Sequence, residues 1–203
     1  MLRGMRHLAL ATLVIAAAPA IAGAQQTMRE QVLTMGVSEE LVINEYPSMP
    51  LSVLTGTAGA VVHVALRSHD TFLSSDGMDI LTDYRATVVD VLKESTGQAI
   101  GAGDIITIRR AGGSMNIAGR QVLSHESGFA SFESGREYVL FLKTDAGQPF
   151  AMLAGPQSAY RIHDGGIAPM IEPAKGSAVV RTPTFIHLVR ALLGQETHTT
   201  SQR

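Results

Sequence analysis

The sequence predicts a mainly β fold, an antiparallel barrel or sandwich with one helix near its C-terminal end. Three observations carry the prediction. Tyr84, Ala86 and Val88 alternate with Asp83, Arg85 and Thr87, the period of two expected of a half-buried strand. Arg136–Lys143 (REYVLFLK) is a dense apolar run of strand length that follows a Ser134-Gly135 turn. Turn signals recur between such runs, at Gly101-Ala102-Gly103-Asp104, Asp145-Ala146-Gly147 and Asp164-Gly165-Gly166. Strands and turns at this spacing argue against a βαβ arrangement.

Taken in order, residues 25–36 (QQTMREQVLTMG) read as a short helix or unstructured lead stopped by Gly36, and 37–50, with Pro47 and Pro50, as a loop. Ala58–Leu66 (AGAVVHVAL) is an apolar, β-branched strand with His63 as its polar member. Ile80–Leu92 is the longest strand; its alternation blurs from Val88 onward, which suits a bulge or a more buried end. Ile105–Arg110 (IITIRR) is a strand, and Ala111–Gly119 (AGGSMNIAG) a glycine-rich loop. Residues 120–134 give no clear pattern. Pro149–Leu153 pairs hairpin-like with the REYVLFLK strand, and Ala159–His163 adds a short strand. In the final segment Thr182 suits an N-cap and Pro183 the first helical position. Phe185, Leu188, Val189 and Leu192 share a helical face, and Gly194 ends the helix.

The N-terminal segment has the three parts of an export signal. Arg3 and Arg6 precede an apolar run, Leu8–Ala18, and Ala22-Gly23-Ala24 supplies small residues for cleavage. Cleavage after Ala24 is expected, with Ala22 the other position. The apolar run is short of the ~20 residues that span a bilayer. The organisation read from the sequence is therefore a signal helix (1–24), a lead (25–50), a β domain (51–180), a helix (181–194) and a tail (195–203). Export places the mature chain in the periplasm or outside the cell.

Removing Arg3 and Arg6 takes 16 Lys and Arg to 14 against 18 Asp and Glu, a formal charge of −4. No basic stripe is present, so neither nucleic acid nor an anionic lipid surface is an expected partner. The mature chain is expected to have no membrane span. The chain has no cysteine, which excludes disulfides, thiolate chemistry, zinc–thiolate sites and lipid modification at an N-terminal cysteine. A domain of this size can be held by its apolar core alone.

Candidate chemistry is sparse. His69-Asp70, His125-Glu126 and His163-Asp164 set imidazole beside carboxylate, and His63 stands alone. Neighbours in a strand point to opposite faces, so these pairs do not by themselves make joint sites. They read as solvated histidines, with His63 a hydrogen-bonded core or barrel-mouth residue; a metal-dependent enzyme built on all four is the alternative. Gly112, Gly113 and Gly119 lack the lysine and spacing of a phosphate loop and read as backbone bends. Ser114 and Ser127 lack the nucleophile-elbow pattern. No cofactor is expected. Arg109 and Arg110 end a strand with side chains on opposite faces.

Five segments carry a resemblance: Ala58–Leu66, Thr87–Lys93, Gly103–Gly113 (GDIITIRRAGG), Phe132–Leu142 (FESGREYVLFL) and Gly155–Ile162 (GPQSAYRI). Together, over residues 58–165, they resemble a recurring exported bacterial β-barrel domain that carries no catalytic signature. The strand order is also similar to the OB-fold of tissue inhibitors of metalloproteinases and netrin-like domains. Inhibition in that family uses an N-terminal cysteine, which this chain lacks. The resemblance implies an antiparallel OB-like β-barrel, to which the sequence itself adds a C-terminal amphipathic helix and an N-terminal signal helix. The function expected is a non-enzymatic exported binding module for a protein, peptide or envelope component, with a structural envelope protein as a further alternative. Its expected binding surface is the strand end and loop formed by Arg109, Arg110, Gly112, Gly113, Ser114 and Asn116.

Overall fold

Alternation and β-branching are densest in two stretches, and these form a long antiparallel hairpin on which the fold is built. The structure is a computed structural model that describes residues 26–36, 39–42, 49–94, 99–126, 128–143, 151–171 and 180–200. The expected signal peptide, the cleavage positions Ala22 and Ala24, and the 145–147 turn lie outside these residues. In chain order the elements are α1 (Met28–Met35), β1 (Glu39–Val42), α2 (Leu51–Thr57), β2 (Ala60–Leu73), β3 (Ile80–Lys93), β4 (Ile105–Ala111), β5 (Gly113–Ile117), β6 (Arg120–Glu126), β7 (Glu137–Lys143), β8 (Ala151–Leu153), β9 (Ala159–His163), β10 (Gly166–Pro169), β11 (Val180–Arg181) and α3 (Thr182–Thr200). The fold is mainly β, as the sequence predicts.

The larger sheet runs β11-β10-β9-β7-β2-β3-β4-β8, and β7 also pairs with β8. The β4–β8 contact is parallel, with Ile108 opposite Ala151. The β7–β8 contact is antiparallel, with Leu142 opposite Leu153. Pairing therefore passes from β7 through β2, β3, β4 and β8 and returns to β7. All five strands send alternate side chains into one cluster: Val62, Val64 and Leu66 from β2, Tyr84, Ala86 and Val88 from β3, Ile106 and Ile108 from β4, Tyr138, Leu140 and Leu142 from β7, and Ala151 from β8. Phe129 and Phe132, from the segment between β6 and β7, add to it; Phe132 meets Tyr84 and Tyr138 edge-on at 5.1 and 4.9 Å.

The YVLFL run of β7 is apolar throughout because both of its faces are covered. Tyr138, Leu140 and Leu142 face the first cluster; Val139 and Phe141 face a second, formed with Val61, Leu54 of α2, and Phe185 and Val189 of α3. A third cluster joins Met28 and Val32 of α1 to Ile80, Ile117 and Val122. It closes the space between the hairpin tip and a small sheet of order β1-β6-β5.

The blurred stretch of β3 is irregular in the ladder. Val61 faces Lys93 and Val62 faces Val91, so Leu92 is skipped; His63 faces Asp90 and Val64 faces Val88, so Val89 is skipped. A third shift, between Leu66 and Ser68, skips Arg67 on β2.

Several expectations are corrected. The 37–50 segment includes β1, which pairs in parallel with β6, Glu39 opposite Leu123. Four residues with two leading glutamates are too few to show a period. Leu51–Thr57 is a helix. The Ala58–Leu66 strand continues to Leu73 through the polar Arg67-Ser68-His69-Asp70, because β3 supplies an unbroken partner. Residues 111–119 are not a loop: Gly113–Ile117 is a strand, hairpin-paired with β6 around Ala118-Gly119. Helix α3 does not stop at Gly194 but continues to Thr200, into the expected tail. Its packed residues are Phe185, Ile186, Val189 and Leu193, while Leu188 is 47% exposed. Thr182 is helical, and its buried hydroxyl has no hydrogen-bond partner among the described residues, so it does not act as a side-chain cap. At the other end of the chain α1 carries the cap instead: Thr27 accepts from the Glu30 amide and Glu30 accepts from the Thr27 amide, and Gly36 ends the helix at φ 70°.

Candidate functional site

Strand alternation sends Arg109 and Arg110 to opposite faces, and the two arginines meet different surroundings. Arg109 lies on the outer face of β4. Its Nε and Nη2 donate to Asp83 Oδ1 and Oδ2, both at 2.7 Å, a two-pronged pair across the β3–β4 ladder. This hydrogen bonding holds the guanidinium more firmly protonated than usual. The guanidinium also lies 5.0 Å from the centre of the Phe72 ring. Asp70 stands opposite Asp83 on the next strand, so two carboxylates lie near this guanidinium. Apolar side chains flank this polar centre. Ile105 is 71% exposed, Met152 sits beside Arg109 in the β4–β8 register and is 51% exposed, and Leu81 faces Phe72 across the hairpin.

Arg110 turns inward and is not a solvated edge charge. Its side chain is only 9% exposed. The guanidinium lies 3.7 Å from the centre of Phe129 and 5.2 Å from that of Phe132, and Nη2 is 3.5 Å from Glu126 Oε2. Its charge opposes, but does not overcome, the burial that pushes the Tyr84 phenol above its ordinary range.

The rest of the expected surface is structural hinge and hairpin. Gly112 and Gly113 carry the chain from the large sheet into the small one at φ 89° and 140°. A Cβ on Gly113 would lie 2.3 Å from Thr82 Oγ1, and one on Gly112 2.7 Å from the Ser124 carbonyl oxygen. Backbone bending is therefore what these glycines provide. Thr82 donates to the Gly112 carbonyl at 2.6 Å, so at the 3.0 Å Thr71–Thr82 contact Thr71 is the donor. Ser114 accepts from the Gln121 amide group, and Asn116 closes the hairpin by accepting from the Gly119 amide.

The four histidines do not converge. His63 donates from Nε2 to Glu137 at 2.9 Å on the β2–β7 face, which matches a hydrogen-bonded, mostly covered histidine. His69 packs against Tyr84 with ring centres 5.8 Å apart. His125 is on β6 with Nδ1 3.9 Å from Glu39, and His163 meets Asp164 at the β9–β10 turn. Among the described residues no three His, Cys, Asp or Glu side chains gather as metal ligands would.

The sequence alone does not bring Phe72, Asp83 and Met152 together at Arg109. The alternation of β3 marks Asp83 as outward-facing, and that was the available signal. Its partner is far along the chain and is set only by the β3–β4 register. No helix among the described residues is long and apolar enough to cross a membrane. Compared with known proteins, the chain matches no family model and no curated protein.

Proposed function

We propose that this chain is an exported, non-enzymatic binding module built on an OB-like β-barrel, and that it takes a protein or peptide ligand on the outer face around Arg109. The barrel reading is supported by the cyclic pairing of β7, β2, β3, β4 and β8 and by the single cluster these strands share. OB barrels bind on a sheet face and its adjoining loops. Here the β3–β4 face carries the observation on which the proposal rests: exposed Met152 stands beside a fixed Arg109–Asp83 pair, and exposed Ile105 lies farther along the same face of β4. Apolar anchors around an oriented charge are the makings of a protein-binding surface. The ligand surface thus moves from the 111–119 segment to the sheet face beside it.

Affinity capture from a cell-envelope extract tests this. The immobilised protein should retain a partner that Ile105→Asp and Arg109→Glu release and that Asn116→Ala, at the hairpin turn, does not. Capture that is empty, or indifferent to Ile105 and Arg109, would count against it.

A further inference from the structure

A cleft of about 750 Å³ lies between the first turns of α3 and the β9–β10 hairpin. Its apolar lining comes from Ile162, Pro183 and Ile186, and its basic side chains are Arg181, His187 and Arg190. Arg190 Nη2 is held by Asp90 at 2.7 Å across to β3. Arg181 and His187 are exposed and have no ion pair or side-chain hydrogen bond within the described residues. Asp90 is the one carboxylate among the lining residues, and it is already engaged. Thr182, also in the lining, contributes the buried hydroxyl that lacks a partner.

We infer that this cleft binds a small organic acid: a single carboxylate on a compact apolar body. Arg181, which has no internal ion pair, supplies the charge complement and can grip a carboxylate by two parallel N–H bonds. Ile162, Pro183 and Ile186 give the apolar body somewhere to lie out of water. The volume is in the range of small-molecule sites. The inference does not rest on the Arg109 face: the two share strand β3 but no lining residue.

Octanoate is the probe, titrated into the purified protein by calorimetry and followed by amide NMR. Octanoate should bind saturably, with shifts concentrated at Ile162, Gly165 and Arg181–Arg190. Losing one charge-assisted bond, Arg181→Gln should weaken it about ten-fold, and Arg29→Gln on α1 should leave it unchanged. Asp90→Asn frees Arg190 and removes the competing carboxylate, so it should tighten octanoate binding. Octanol should bind at least about ten-fold more weakly than octanoate, and inorganic phosphate should not compete. No octanoate binding, equal binding of octanol, competition by phosphate, or indifference to both Arg181→Gln and Asp90→Asn would each overturn the inference.

Discussion

Arg110 sits 3.7 Å from the centre of the Phe129 ring, with the Glu126 carboxylate 3.5 Å away, while the adjacent Arg109 lies on the opposite face of the same strand. A guanidinium is the one basic group suited to this place, since it is planar, weakly hydrated and stacks on aromatic faces. Its removal would take from Glu126, itself mostly covered, the guanidinium that lies 3.5 Å away. We expect Arg110→Ala to lower stability by about 3 kcal/mol. The double variant Arg110→Met/Glu126→Gln should recover more than half of that loss, because the unpaired charge goes too. Urea unfolding of the three proteins makes the comparison; equal losses in the single and double variants would refute the account.

Two glycines of the β4–β5–β6 segment, Gly113 and Gly119, should respond differently to alanine. Gly113→Ala meets Thr82 Oγ1 and Thr71 Cγ2 at 2.3 and 2.7 Å from a backbone at φ 140°. Gly119 is also at positive φ, 82°, but has open space around it. Gly119→Ala should cost only the conformational strain, about 1–2 kcal/mol. Gly113→Ala should cost at least about 3 kcal/mol, since strain and overpacking add. Thermal melts of the pair would show the ordering.

Helix α3 gives a contrast between neighbours. Val189 is fully buried and Leu188 is nearly half exposed. Val189→Ala should destabilise by about 2 kcal/mol, and Leu188→Ala by no more than about 0.5 kcal/mol. The face drawn from the sequence alone would have made the two alike, so a denaturant series on both variants separates the two helix orientations.

Alkaline pH should unfold the protein through its tyrosines. Burial is the leading cause that pushes the Tyr84, Tyr138 and Tyr160 phenols upward. For each, the folded chain keeps its proton to a higher pH than the unfolded chain does. Their contribution to stability is therefore complete below the unfolded value of about 10 and is lost as pH rises through that value toward the folded one. Phenolate absorbance followed against pH should rise for these tyrosines together with loss of folded structure. Ionisation of all tyrosines near pH 10 with the fold intact would refute it.

The parts of the fold that were legible in the sequence are those whose signal is local. The β3 alternation and the YVLFL run each lie within one contiguous stretch, and both gave the correct element. The capping box of α1 was equally local in Thr27 and Glu30 but passed unread. By contrast, β1 and β5 are four and five residues long and owe their conformation to β6. Alternation placed Arg109 and Arg110 on opposite faces, but only the arrival of Phe129 and Phe132 decides which face is inside. The α3 sequence offers two overlapping apolar arcs, and docking against Tyr160, 4.7 Å from Phe185 between ring centres, selects one.

The β2–β3 hairpin belongs to two interiors at once. Val62, Val64, Ala86 and Val88 at its base line the ring, while Leu73 and Ile80 at its tip pack with α1 and the small sheet. The skipped residue at Arg67 falls between these two regions. Such a beam can fray at its tip, shedding α1 and the small sheet, while its base stays zipped. The protein is thereby graded in its permanence, with an outer storey that opens before the strands beneath it.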